Sequence, residues 1–548
     1  MGNKSNKKQF IRVTLAAGAV SSLLFFTSLD NKFFDLFLRL LPSLTEHEKV
    51  FVLTLDDDSI NYAGGFPFKR EVMGDIVVLL KELGVRTIVF DLSYLDPSPP
   101  RLDPAYAAQV LDRYLSSGFA RIDNAAAVVS RAANNEREIY LQDFRELTNS
   151  VRGEIENSVS LLIQDVDEYF AQALAFSGCS WLTLSMIHPQ DLLGEGEYVT
   201  DTEIDHYLKN HIVLENVVGK NDRKTPDMAG VWPAIPKLLS RARGAGFVNA
   251  SRDRDGLYRR IHLLLKYQGS YYGHLTLAAL SEMLGYTAIE VSNHAVTLIK
   301  NDGNTAGNTA AKGGEILRIP RAQDGTMLLK WPRKNFYDYR MMSLVELVQH
   351  TTIEPIFAQN IALMNDSGFF YYWDDGDGAS PWDYYLKAEA NKNTAFENNE
   401  AAEGKWLSMR EHFFNSCKIF LSGDYETRIL ADLADDETAD FVRDLFDVCR
   451  NQFNRITEIR RNTAALQDSF CIIGADATSM TDYGIITFQE SFPLVGTYAT
   501  AANMLLSGEF LRDTPFYVPL IIALIFALLI GFLVSRFDTH LSIITGAS

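Results

Sequence analysis

Two long apolar stretches, one near each end, set the frame for everything between them. The first, FIRVTLAAGAVSSLLFFTSL (Phe10 to Leu29), is nearly all apolar after Arg12 and is preceded by MGNKSNKK with its three lysines. The second, FYVPLIIALIFALLIGFLV (Phe516 to Val534), carries no charge. About 20 consecutive apolar residues cross the hydrocarbon core as a helix, so transmembrane helices are predicted at 10–29 and 516–534. No small-residue cleavage site follows the first, and the aromatic run NKFFDLFLRLL comes next, which favours an uncleaved signal anchor over a signal peptide. Lys4, Lys7, Lys8 and Arg12 place the tail 1–9 in the cytoplasm by the positive-inside rule. Residues 30–515 then lie outside, and the chain returns to the cytoplasm near Arg536. After the turn SRFDTH, the run LSIITGAS is too short to span and reads as the start of a further membrane helix within 535–548. The chain is therefore expected to be a fragment of a multi-pass protein of the cytoplasmic (inner) membrane, with the bilayer as its first partner and its large domain in the periplasm or outside.

Between the spans, periodicity alternates. KVFVLTL reads as a strand, FKREVMGDIVVLLKELG as a helix with an apolar face and RTIVFDLSYL as a strand, which implies a right-handed crossover and a parallel pair. From Ala105 to about Gln164 the pattern is helical, with Phe144, Leu147, Val151, Ile155, Val159 and Leu162 on one stripe. VDEYFAQALAFSG and CSWLTLSMI repeat the helix–strand alternation. GAGFVNASRDRDGLYRRIHLLLKYQ reads as a hairpin whose polar turn ends in Asp255-Gly256. AVTLI, EILRIP and TMLLKW read as further strands. From Gln349 to Leu466 comes an acidic, largely helical region with Phe441, Leu445, Cys449 and Ile456 on one face. The expected fold class is a mixed α/β extracytoplasmic sensor domain with two helical insertions, about 101–164 and 349–466, flanked by transmembrane helices.

Several chemistries are disfavoured. A balance of 51 basic against 70 acidic residues, net charge -19, argues against a nucleic-acid partner, because phosphate contacts need clustered Lys and Arg. The four cysteines, Cys179, Cys417, Cys449 and Cys471, show no metal-type spacing; three disulfide pairings are open to them, and buried free thiols are the expected state. NDGNTAGNTAAKGG has the glycines of a phosphate cradle without the P-loop spacing or context. WDDGDGASPW fails as a calcium loop, since Ala379 falls at the fifth position and Leu386 at the twelfth. His206 and His211 are five apart, not the four of a helical zinc pair. No catalytic constellation assembles from the sequence, so no catalytic residue, metal or cofactor is assigned.

The stretch LDDDSINYAGGFPFKREV, Leu55 to Val72, holds the first site candidates. Neighbouring strand side chains point to opposite faces, so Asp56, Asp57 and Asp58 cannot converge without a turn. Asp58 or Ser59 is expected to cap a short helix, Gly64-Gly65 to bend the chain, and Pro67 to start the next segment. Asp56 at the tip of one strand has a companion in Asp91 at the end of RTIVF. Parallel strands put both at the edge where open α/β sheets bind ligands. Arg70 is placed to pair with one of these acids or with an anionic ligand. Asp253 and Asp255 read as turn residues. Asp476 and Asp482 flank the last sheet loop and are expected to join the same rim. The ligand-binding candidates are thus Asp56, Asp58, Arg70, Asp91, Asp476 and Asp482.

Five segments in a fixed order carry a resemblance: LDDDSI with GGFPFKR, GVRTIVFDLSYLDPS, GFVNASRDRDGLYRRIHLL, CIIGADATSMTDYG, and PLVGTYATAANMLLSGEFL leading into an apolar span. From roughly Asp30 to the second span, the chain resembles the CHASE domain, type two, an extracytoplasmic sensory module of bacterial signalling receptors. The resemblance implies a receptor region that senses an unknown small-molecule or protein ligand and signals through membrane helices, as a homodimer, to a cytoplasmic output domain. Such output domains include class III adenylate or guanylate cyclases, histidine kinases and Ser/Thr kinases. The small residues Ala17 to Ser22 of the first span would suit close helix contact. Three departures stand out: the two insertions, Thr500-Ala501 where relatives often carry His-Ala, and no cyclase or kinase signature within the chain. Two competing readings remain, the N-terminal part of a receptor cyclase and a passive membrane-anchored scaffold that uses the acidic insertions as docking faces. An extracytoplasmic hydrolase would need a catalytic group set converging at the sheet edge.

Overall fold

The computed structural model describes residues 29–65, 67–99, 101–102, 112–131, 137–191, 202–300, 315–374, 378–396, 400–433, 436–478 and 482–513, with a few helical residues between 521 and 532. The stretches 10–29 and 516–534 fall almost wholly outside these residues, as do 1–9, 535–548 and the glycine loop 301–314. Among the described residues no helix is long and apolar enough to cross a membrane.

Helix α1, Leu29–Leu40, leads to strand β1, Val50–Leu55, whose sequence VFVLTL is buried at every position. A strand apolar on both faces belongs inside a sheet covered on both sides. Next come α2, Asp57–Tyr62, α3, Arg70–Glu82, and β2, Thr87–Asp91. After the first insertion, α4, Val166–Ser177, is capped by Asp165 and ended by Gly178, and leads to β3, Ser180–Ile187. Strands β4, Gly230–Pro233, and β5, Gly244–Phe247, then precede α5, Leu275–Met283. Strand β6, Met341–Ser343, opens the second insertion, made of α6, Val345–Asp366, α7, Pro381–Phe396, α8, Glu400–Ser422, α9, Tyr425–Ala431, and α10, Asp436–Thr463. The chain finishes with β7, Phe470–Ala475, and α11, Gly496–Ser507.

The seven strands form one sheet in the order β6-β1-β7-β2-β3-β4, with β5 also paired to β3; every pairing is parallel except β3 with β4. Alternate strand residues feed two cores. Phe51, Leu53, Ile88, Phe90, Leu182 and Ile473 pack under α3, α4 and α6. Val50, Val52, Val89, Trp181, Phe470 and Ile472 pack under α5 and α11. On that second side sits a smaller sheet of Val217–Lys220, Ala288–Ser292, Ala295–Ile299 and Ile316–Pro320. Helix α5 meets β5 closely: a Cβ on Gly246 would fall 2.4 Å from Leu275 Cα, so only glycine fits there.

Both predicted insertions are helical. The first is a pair, Asp112–Arg131 and Arg137–Leu162, closed at its base by an antiparallel pairing of 101–102 with 163–164. The second has its own aromatic core, including Phe357, Phe413, Phe420 and Phe446. Of the expected α10 stripe, Leu445, Cys449 and Ile456 are buried while Phe441, in the helix's first two turns, is exposed. Arg410 of α8 ties the bundle to the sheet domain, bonding Glu82 of α3 at 2.9 Å and Glu354 of α6 at 2.9 Å, with the Arg410 and Glu82 side chains nearly inaccessible to solvent and Glu354 partly so.

The expected long hairpin through Asp255-Gly256 is corrected. The run GAGF joins the main sheet parallel to β3 and leaves only a single bridge between Ser251 and Arg260. The tight hairpin lies further on, Leu264–Tyr267 with Ser270–Gly273, where Gln268 and Gly269 both take positive φ. All four cysteines are free thiols.

Candidate functional site

Because β1, β7, β2, β3 and β5 run parallel, their C-terminal ends open on one edge, the usual place for a ligand crevice. A cavity of about 510 Å³ lies there. Its walls come from the end of β2 (Asp91 to Ser93), Ser185 of β3, the 248–252 loop after β5, Ala475 of β7, Asp482 and Tyr483, and the start of α11 (Val495, Thr497, Tyr498), with His274 ahead of α5.

Each wall group has a local cause. Asn249 copies a strand: its amide accepts from the Met186 N–H at 2.8 Å and donates to the Met186 carbonyl at 2.6 Å, so the chain after β5 stays on the β3 edge. Asp91 faces Gly474 in register. A Cβ on Gly474 would lie 2.3 Å from Val495, so the glycine lets α11 begin directly over the sheet. The Tyr498 phenol lies next to the Asp91 carboxylate in the cavity wall. Burial pushes Asp91 up to about 7; the neighbouring Tyr498 hydroxyl works against that and the charge of Asp482 adds to it. His274 stacks on Tyr498 at 5.5 Å and meets Phe247 edge-on at 5.6 Å. Its Nδ1 accepts from the Thr276 N–H at 3.3 Å, and burial, helped by His262, holds the ring down to about 3. His274 is therefore neutral with its proton on Nε2. The Arg252 guanidinium donates to the Tyr258 hydroxyl at 2.6 Å and lies over the same ring.

Of the six candidates, Asp91 and Asp482 line this cavity, Asp482 at its exposed mouth. Asp56 does not line it. Asp56 caps α2, accepting from the Ser59 N–H at 2.9 Å and its hydroxyl at 2.6 Å, so the cap lies two positions before the expected Asp58. Asp58 is exposed in the first turn of α2. Asp476 sits beside Asp56 and Asp57; burial and those two charges push it up to about 6, against a bond from Tyr337. Arg70 bonds Asp167 and the Asp96 carbonyl and lies over Tyr94, so its ion-pair partner is on α4 and not among the edge acids. Among the described residues no group of three or more His, Cys, Asp or Glu is arranged to hold a metal.

Reading the residues one at a time passed over His274, Arg252, Thr497 and Tyr498. Three of them stand inside segments quoted for the resemblance, GFVNASRDRDGLYRRIHLL and PLVGTYATAANMLLSGEFL. His274, in GSYYGHLTL, had no such flag. At the departure from the family pattern, Thr500 is buried, donating to the Gly496 carbonyl at 2.9 Å and meeting the Tyr339 hydroxyl at 3.3 Å.

Two links lead from this edge toward the chain ends. Helix α11, which carries Tyr498, precedes the apolar stretch 516–534, and its Asn503 accepts from the His47 N–H at 2.7 Å. On the other side, the Tyr258 N–H donates to the Ile485 carbonyl at 2.8 Å, and its neighbour Arg259 is buried among Asp35 of α1, Asp253 and Asp255. Burial opposes the Arg259 charge, but the three carboxylates hold it well above the usual arginine range. The turn residues Asp253 and Asp255 are thus ion-pair partners that fix α1.

Residues 12–367 match a family model, the CHASE2 domain. Neither the curated proteins nor the solved structures contain a match. The matched span ends at α6, while β7 and α11, which complete the sheet and the cavity, follow it. With well over half of the chain matched, and with the expected motifs at one sheet edge, the chain belongs to the CHASE2 domain family, the extracytoplasmic sensory domains of receptors.

Proposed function

We propose that this domain senses a small ligand bound in the edge cavity and relays the event through α1 and α11 to membrane helices at 10–29 and 516–534. The observation that carries this reading is Tyr498: it lies beside Asp91 in the cavity wall and stands on the helix that precedes the second apolar stretch in the chain. A ligand shifts a conformational balance only by binding two states unequally, and a residue shared by cavity and exit helix supplies that difference. The reading includes a multi-pass protein of the cytoplasmic membrane acting as a homodimer on a cytoplasmic output domain, a class III cyclase or a kinase.

The test is a thermal-shift screen of small metabolites on the full chain in detergent micelles, repeated on Ser185→Phe, which fills the cavity. Ligands that stabilise the native chain should lose their effect on the variant. Hits that stabilise both alike, or no hits, would sink the reading. Reporter fusions after residue 300 and after residue 548 should report opposite sides of the membrane; the same side for both would refute the topology.

A further inference from the structure

Three polar groups around the cavity lack the partner that their burial calls for. Asp91, half-buried in the cavity wall, has a phenol and a second carboxylate near it, and no cation among the described residues pairs with it. A carboxylate withdrawn from water is costly unless a positive charge meets it. His274 is 2% exposed, and its Nε2–H has no acceptor among the described residues. Thr497 is 7% exposed, and its buried hydroxyl has no partner among the described residues either. The guanidinium in the wall, Arg252, is engaged by Tyr258 and feels Asp482 rather than Asp91.

We propose, resting on the ligand-binding reading above, that the cavity takes a small organic molecule carrying a protonated amine and a hydrogen-bonding oxygen. The amine sits on Asp91, with Asp482 at the mouth adding to the attraction. The oxygen accepts from His274 Nε2–H, and Val248, Ile261 and Leu494 supply apolar wall for a short hydrocarbon body. At about 510 Å³ the space falls within the range of small-molecule sites, about 300–1,000 Å³. An anionic ligand would meet two carboxylates, and a neutral one would leave Asp91 without its counter-charge.

The test is titration calorimetry on the full chain in detergent micelles with leucinamide, alaninamide and ethanolamine, each beside its uncharged N-acetyl derivative. At least one amine should saturate at millimolar concentration or below, and its N-acetyl form should bind at least about tenfold more weakly. Asp91→Asn should weaken the amine by about tenfold or more, as expected for removing one side of a buried charge pair. His274→Phe should cost less, and Ser185→Phe should abolish binding. Equal binding by the amine and its N-acetyl form, or full affinity in Asp91→Asn, overturns the cation assignment; if Ser185→Phe still blocks binding, the cavity reading survives. Binding that persists in Ser185→Phe overturns both. No saturable binding by any amine overturns the assignment.

Discussion

The guanidinium of Arg259 grips both carboxylate oxygens of Asp35, at 2.8 and 2.7 Å, across 224 positions of chain. Asp35 also accepts from the Thr487 hydroxyl at 2.8 Å, so α1 is held to two separate parts of the domain by one side chain.

Arg259→Met should therefore cost about 3–5 kcal/mol, because it strands Asp35 and Asp255 around a site that is 1% exposed and leaves Asp253 with Arg260 alone. Urea denaturation checks this. Asp35→Asn should cost less and act locally: amide exchange should speed up across 29–40 and stay unchanged in β1 and β7. Unchanged exchange in 29–40 would mean that other contacts anchor α1.

Asp91 predicts a pH effect with a definite sign. Its folded value, about 7, lies above the ordinary aspartate value of 3.8, so the native state holds an extra proton across that window. Its contribution to stability is full below about 3.8 and is lost as pH rises through about 7. Asp476, pushed up to about 6, acts in the same direction. Asp91→Asn removes only the first share, so wild type should lose more stability than the variant as pH rises from about 4 to 7. Parallel curves for the two proteins would show that Asp91 ionises freely.

The docking of the second insertion rests on Arg410. Replacing it with alanine leaves Glu354 without its guanidinium partner and Glu82 with Arg460 alone, at a cost of about 3–5 kcal/mol. Burial alone would raise Glu354, yet the Arg410 charge and hydrogen bond bring it down to about 2. That part of the stability is present above the ordinary glutamate value of 4.5 and is lost as pH falls through about 2. Limited proteolysis of Arg410→Ala should release the 349–466 region first; cleavage starting elsewhere would place the weak joint away from this pair.

Gly246→Ala places a methyl against the backbone of Leu275, which cannot swing aside as a side-chain tip would. Overpacking of this kind costs about 1–3 kcal/mol or more. A melting temperature equal to wild type would mean that α5 shifts without penalty.

Much of the parallel core was legible because its signals are local. VFVLTL and TIVFD are short apolar runs at the length of buried strands, and the helix between them keeps a 3.6-residue stripe. What stayed hidden was fixed by long-range geometry. The run GAGF has the composition of a hairpin arm, yet three glycine and alanine positions let it slide between β3 and α5. At the cavity, Asp91 was readable as a strand-end carboxylate, and its partners were not. Tyr498 and His274 come from far along the chain, and nothing in their neighbours distinguishes them from core aromatics. Asp56 shared the strand-end signal of Asp91 but turned inward to cap α2, a choice made by the serine three positions on.

Strand β7 lies between β1 and β2, yet it is synthesised after both of them and after the whole second insertion. Until residues 470–475 have crossed the membrane, β1 and β2 each keep an unpaired edge with apolar side chains, an arrangement that invites pairing with other chains. The bundle of α6 to α10, rich in local contacts, can form during that wait, while the central sheet closes last. Export of this domain is consequently the hazardous part of its life. A truncation ending at residue 466 would leave that stage unresolved and should aggregate.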